Sequence, residues 1–143
     1  MRIFFDTSIL VASLVEAHPR HGPSFGRLVQ AKAEKFEWAV AAHSLAELYA
    51  VLTTLPVKPR ISPGTAWRLI DENLRSAAVV SLSTSDYTLT IKRLAEAGVL
   101  GGIVYDALLI RAAMKWGADR VLTLNLGDFR RAAPDSDLTI EEP

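Results

Sequence analysis

Five short apolar runs, Arg2 to Phe5, Phe36 to Ala42, Val79 to Leu82, Arg120 to Leu124 and Leu138 to Ile140, alternate with segments whose apolar residues recur at helical spacing. Strands separated in this way by helices pair in parallel through crossovers, so the pattern predicts an α/β fold on a mainly parallel sheet of four to five strands. Helices are expected over Ser8 to Ala17, Phe25 to Lys35, Leu45 to Leu52, Ser85 to Ala97 and Ile103 to Met114. Another is expected from a Ser62 or Thr65 cap to Arg75. His18-Pro19, Gly22-Pro23 and the stretch Pro56 to Gly64 read as breaks, Gly117 as a helix stop, and Asn125 to Phe129 as a turn.

With 143 residues, half of them apolar, the chain suits one compact domain. It has no cysteine, which removes disulfides and thiolate metal sites and fits a reducing compartment. No apolar stretch approaches the roughly 18 residues that would span a bilayer, so the expectation is a soluble, cytoplasmic protein without membrane attachment. Sixteen basic residues balance sixteen acidic ones. That is not the basic footprint of a general nucleic-acid binder, and any such contact must be local.

Ten of the acids, Glu34, Glu37, Asp71, Glu72, Glu96, Asp119, Asp135, Asp137, Glu141 and Glu142, lie in polar contexts and read as solvated. Four stand elsewhere. Asp6 stops the first apolar run, Glu47 lies among Leu45, Leu48 and Val51, Asp106 among Ile103, Val104 and Leu108, and Asp128 follows the fourth run. Each has a structural explanation: a helix cap, the wet side of a helix, a helix-dipole partner and a turn former respectively. Together, however, they belong to strand ends and early helix turns, which border one crevice in an open α/β sheet. Two carboxylates about 5 Å apart repel by roughly 3 kcal/mol at an effective dielectric near 20, so a cluster needs a cation. Oxygen ligands without cysteine or a histidine pair suit Mg²⁺ or Mn²⁺ better than zinc. A divalent ion in such a site activates water and stabilises a phosphoryl transition state.

Four signatures then line up in order: Phe5 to Leu10 (FDTSIL), Ser44 to Leu48 (SLAEL), Tyr105 to Ala113 (YDALLIRAA) and Leu122 to Phe129 (LTLNLGDF). In these the chain resembles a PIN-domain ribonuclease of the VapC toxin type, over nearly its whole length. The resemblance implies a PIN-like three-layer α/β/α architecture, with residues 1–143 forming a single PIN domain. It also implies Mg²⁺- or Mn²⁺-dependent cleavage of RNA leaving a 5′-phosphate and a 3′-hydroxyl, a cognate VapB-type antitoxin as inhibitor, and a homodimer. Carried over by position, Asp6, Glu47 and Asp106 match the family's metal-site acids. Thr7 or Ser8 falls where a hydroxyl or amide supports them. The fourth acid of the family stands at the position of Asn125 or of Asp128; here Asp128 is the expected weaker or water-mediated ligand, and Asn125 a group that orients water or phosphate.

Among the basic residues, Lys92, Arg93, Arg111, Lys115, Arg130 and Arg131 read mainly as solvated helix faces. Arg130 and Arg131, and after them Arg111, are the candidates for RNA contact. His18, His21 and His43 lack the pair spacing of a metal site, and Trp38, Trp67 and Trp116 read as core or interface residues. An aspartyl-nucleophile phosphatase would want an acid at position 8, where Ser8 stands. A receiver domain would want paired acids near the first strand and a lysine after a late one. The remaining rival is a non-catalytic PIN-like module that binds RNA or a partner, and the acids at 6, 47, 106 and 128 speak against it.

Overall fold

The structure, a computed structural model, describes residues 1–133 and 137–143. The apolar runs form β1 (Arg2–Phe5), β2 (Glu37–Ala41), β3 (Ala78–Val80), β4 (Arg120–Leu122) and β5 (Thr139–Glu141). Each pairs in parallel with its neighbour, in the order β3-β2-β1-β4-β5. The helices are α1 (Thr7–Leu14), α2 (His21–Lys32), α3 (Ala42–Thr54), α4 (Pro63–Leu74), α5 (Thr84–Glu96), α6 (Ile103–Trp116) and α7 (Leu126–Ala132).

Alternation along the strands divides the core into two halves. Ile3, Phe5, Trp38, Val40 and Leu122 pack beneath α1 to α4 against Leu10, Leu28, Leu52 and Ile70. Phe4, Ala39, Ala41 and Val121 face the other way, against Leu109, Ile110 and Ala113 of α6 and Phe129 of α7. The result is the expected three-layer arrangement, with five strands. Small residues on both sides of the second interface let α6 approach the sheet closely. Each fully buried Phe or Leu contributes about 1.5–3 kcal/mol in removing its side chain from water.

Several boundaries differ from the sequence reading. α2 starts at His21, so Gly22-Pro23 lies inside its first turn, where a proline removes no helical hydrogen bond. Ser62 caps α4 by accepting from the Thr65 amide at 3.2 Å, with Pro63 behind it at the first helical position. The segment read as a turn after β4 is instead α7: the Phe129 amide donates to Asn125 O at 3.1 Å, and burial of Phe129 holds the helix down. Trp38 is core as expected, whereas Trp67 is well exposed. The acid Asp135 lies outside the described residues. Among the described residues, no helix is long and apolar enough to cross a membrane.

The chain runs outward from β1 through β2 to β3, then returns to place β4 and β5 on the opposite side of β1. The direction of winding therefore reverses between β1 and β4. Ligands of open parallel sheets lie beyond the carboxyl ends of the strands at such a reversal.

Candidate active site

Asp6 is the first residue beyond β1, and its amide donates to Leu122 O at the end of β4, at 3.0 Å. Its carboxylate is 4% exposed. It stands at the N-cap position of α1, and although the Thr7 and Ser8 amides at the start of that helix act on its carboxylate, no regular capping hydrogen bond forms. Instead two hydroxyls donate to Oδ2: Ser8 Oγ at 2.7 Å and Thr123 Oγ1 at 2.9 Å. Each hydroxyl in turn accepts a backbone amide from the β4–α7 connection, Ser8 from Leu124 and Thr123 from Asn125, both at 3.0 Å. Asp6 is thereby fixed to both strands that border the reversal. Burial raises its pKa, and the hydroxyls of Ser8 and Thr123 with the amides of Thr7 and Ser8 only partly offset that.

Thr7 serves differently from Ser8. Its hydroxyl donates to Ser44 Oγ at 2.9 Å in a buried contact, tying α1 to the first turn of α3. That contact helps to set the position of Glu47 one turn later. Glu47 sits 3.5 Å from His43 Nε2 on the same helix face. Its pKa is raised, first by burial and also by the charge of Asp6, while His43 pulls it down.

Asp106 lies in the first turn of α6. Among the described residues its carboxylate has no hydrogen-bond or ion-pair partner, and its pKa is pushed up to about 6. Burial is the largest cause, followed by the negative charges of Asp6, Asp128 and Glu47. Asp106 thus lies within electrostatic reach of the other three acids named from sequence, and Glu47 within reach of Asp6. Among the described residues no three His, Asp or Glu side chains form a ready-made cage for a metal ion. The donor set still fits a hard divalent cation: oxygen donors in excess, a buried carboxylate at Asp6 and, among the described residues, no side-chain cation on Asp6 or Asp106.

Asp128 opens α7 and pairs with Arg131 one turn on. Asn125 is exposed, and its amide and carbonyl serve the turn into that helix. Of the basic candidates, Arg131 is thus held by Asp128, while Arg130 is exposed and has no ion pair among the described residues. Arg111 points Nε at Asp86 Oδ1, 2.9 Å away. Sequence reasoning missed Thr123, which looks like one more strand residue. It also passed over the i, i+4 spacing of His43 and Glu47 that brings them into contact.

The model of the PIN domain matches residues 3–134. Ribonuclease VapC27 of Mycobacterium tuberculosis (strain ATCC 25618 / H37Rv) is 36% identical over 114 residues, covering 80% of this chain and 78% of the relative. Ribonuclease VapC40 of Mycobacterium tuberculosis (strain CDC 1551 / Oshkosh) is 33% identical over 121 residues, covering 85% and 84% respectively. The fold is similar to that in the crystal structure of VapBC2 from Rickettsia felis bound to a promoter DNA fragment, with a TM-score of 0.71 at 20% identity over 100% of this chain and 99% of that one. It is equally close to Mycobacterium tuberculosis VapC20, a sarcin-ricin loop cleaving toxin, with a TM-score of 0.71 at 20% identity over 99% of both chains. The domain match over residues 3–134 and these relatives, on a five-stranded parallel sheet, establish that the chain belongs to the PIN-domain family, among its VapC ribonucleases.

Proposed function

We propose that this chain is the toxin of a VapBC-type pair, an endoribonuclease whose acids Asp6, Glu47, Asp106 and Asp128 hold Mg²⁺ or Mn²⁺. The observation that carries the reading is the half-buried Asp106 carboxylate, which feels the negative charges of three other acids and among the described residues has no cation. A bound divalent ion supplies polarisation of a phosphoryl oxygen and easier ionisation of a bound water. Asp6 and Asp106 are its direct holders, with Asp128 at the margin and Ser8 and Thr123 keeping Asp6 in place. Glu47 completes the holding set or takes the proton from the attacking water, a task that its raised pKa favours. Attack by the water oxygen on phosphorus breaks the bond to the 3′ oxygen, leaving a 5′-phosphate and a 3′-hydroxyl. Arg130 is the best placed residue for an RNA phosphate; Arg131 and Arg111 contribute if their carboxylate partners yield.

The same reading takes residues 1–143 as one PIN domain acting on RNA in the cytoplasm and inhibited by a VapB-type antitoxin. A homodimer accords with the exposed apolar side chains Leu89, Ile91 and Leu100 on and beyond α5.

Two measurements test it: cleavage of a structured RNA with Mg²⁺ or Mn²⁺, and calorimetric titration of Mn²⁺ without RNA. Asp6→Asn and Asp106→Asn should each lower cleavage on the order of 10²–10³-fold, in line with the several kcal/mol that a bound cation supplies. Both should also weaken Mn²⁺ binding. Full activity in both variants, or cleavage that survives a chelator, would refute the proposal; RNA binding without cleavage would favour the non-catalytic module.

A further inference from the structure

Beside the acids, at the carboxyl ends of β2 and β3, the chain leaves a cavity of about 380 Å³. Its floor is apolar, from Val80, Leu82 and Leu109, and one wall is Glu47 itself. Tyr87 of α5 and Tyr105 of α6 line it too. These two residues are 41% and 64% exposed, and neither hydroxyl makes a hydrogen bond among the described residues. Large aromatic surfaces left open around an apolar floor are what a flat, unsaturated ligand can cover.

We infer that this cavity is a subsite for one unpaired nucleobase adjoining the scissile phosphate, with Tyr105 and Tyr87 as its stacking surfaces. The inference rests on the ribonuclease reading and adds to it the residues that select the nucleotide. Three observations favour a base as the occupant. The cavity shares Glu47 with the acid group, and Tyr105 directly precedes Asp106, so a phosphate at the acids brings its neighbouring nucleotide to the opening. Its volume lies at the low end for small-ligand sites, suited to one planar ring system and too small for a helix or strand of a protein partner. At its edge Lys115 Nζ donates to Ser81 O at 3.1 Å, and Arg111 and Lys115 together match the charges of Asp86 and Glu47, so the cavity's acid is balanced and does not simply repel an RNA backbone. Bases within a duplex face their partners, so the site requires a loop or single strand, where stacking on aromatic side chains is available.

The test uses the full chain and short single-stranded RNAs, each compared with versions in which one nucleotide beside the cut is made abasic. Tyr105→Ala should lower kcat/KM about tenfold on intact RNA, mainly through KM, and Tyr105→Phe should retain it. One abasic position should weaken the wild type and make it indifferent to Tyr105→Ala. The thermal midpoint should not move, because the ring is exposed. Activity within about twofold of wild type in both Tyr105→Ala and Tyr87→Ala overturns the inference, as does an equal loss at every abasic position. Variants that cut normally but no longer bind an antitoxin peptide also overturn it, by making the occupant a protein. Should the wild type cut no RNA with Mg²⁺ or Mn²⁺, the ribonuclease reading fails by itself. The same RNAs carrying 2-aminopurine then decide on the subsite: quenching that Tyr105→Ala abolishes supports it, and no quenching overturns it.

Discussion

Asp106→Asn should make the metal-free protein more stable while it disables the site. An aspartate whose pKa is raised from 3.8 to about 6 binds its proton more tightly in the folded state than in the unfolded chain. Its stabilising effect is therefore complete below 3.8 and is lost as pH rises through 6, so at neutral pH the ionised side chain opposes folding. The displacement corresponds to about 3 kcal/mol, and solvent screening of a half-buried group reduces this to about 1–2 kcal/mol. Asparagine keeps the shape and removes the charge. For a domain of this size the gain should appear as a rise of about 3–8 °C in Tm at pH 7.5 in a chelator. It should shrink between pH 6 and 4, where the wild-type carboxyl takes up its proton. Added Mg²⁺ should reverse the order, because a ligand at 100 times its Kd stabilises the form that binds it by about 2.7 kcal/mol. Thermal or urea unfolding of both proteins at pH 7.5 and pH 4, with and without Mg²⁺, supplies every number without any RNA. A variant no more stable than wild type at pH 7.5, or a gain that persists undiminished at pH 4, would refute the reasoning.

Thr123→Val removes the donor to Asp6 Oδ2 and the acceptor of the Asn125 amide. It should destabilise by about 1–3 kcal/mol, and because that hydroxyl lowers the Asp6 pKa, the acidic limb of the kcat/KM profile should move to higher pH, with Thr123→Ser restoring both. Phe129→Ala should cost about 3–5 kcal/mol by denaturant titration, since the ring is fully buried and anchors α7; a loss below 1 kcal/mol would mean that this segment is the turn its sequence suggests.

The strands were legible because their side chains alternate between two buried faces, and β1 and β2 carry apolar residues on both. Asp6, Glu47 and Asp106 stood out as candidates because each interrupts an apolar pattern, although a cap, a wet helix face or a helix dipole accounts for each of them singly. α7 was not legible: Asn125 to Phe129, with its glycine, read as a turn, and the helix owes its stability to Phe129 reaching the core beneath α6, a tertiary effect. Thr123 was hidden for a related reason, because its role depends on β4 lying beside β1, across 117 positions of sequence.

Asp86 shows most clearly what local reading leaves out, and it explains the site by contrast. It stands in the polar stretch Ser83 to Thr88 and gives no sign of burial, yet it is 4% exposed, like Asp6. The fold supplies it with the Ser83 amide at 2.8 Å, Lys115 at 3.0 Å and Arg111 at 2.9 Å, and these hold its carboxyl below the usual carboxylate range. Asp106 sits five residues from Arg111 on the same helix and among the described residues receives neither cation nor donor, and its pKa moves the opposite way. This chain therefore has the means to neutralise a sequestered carboxylate, and uses them on α5 while Asp106, among the described residues, goes without them. Charges left uncompensated in that way weaken the free protein, and a cation from solution relieves them. The instability predicted for the metal-free form and the affinity expected for Mg²⁺ have one physical origin.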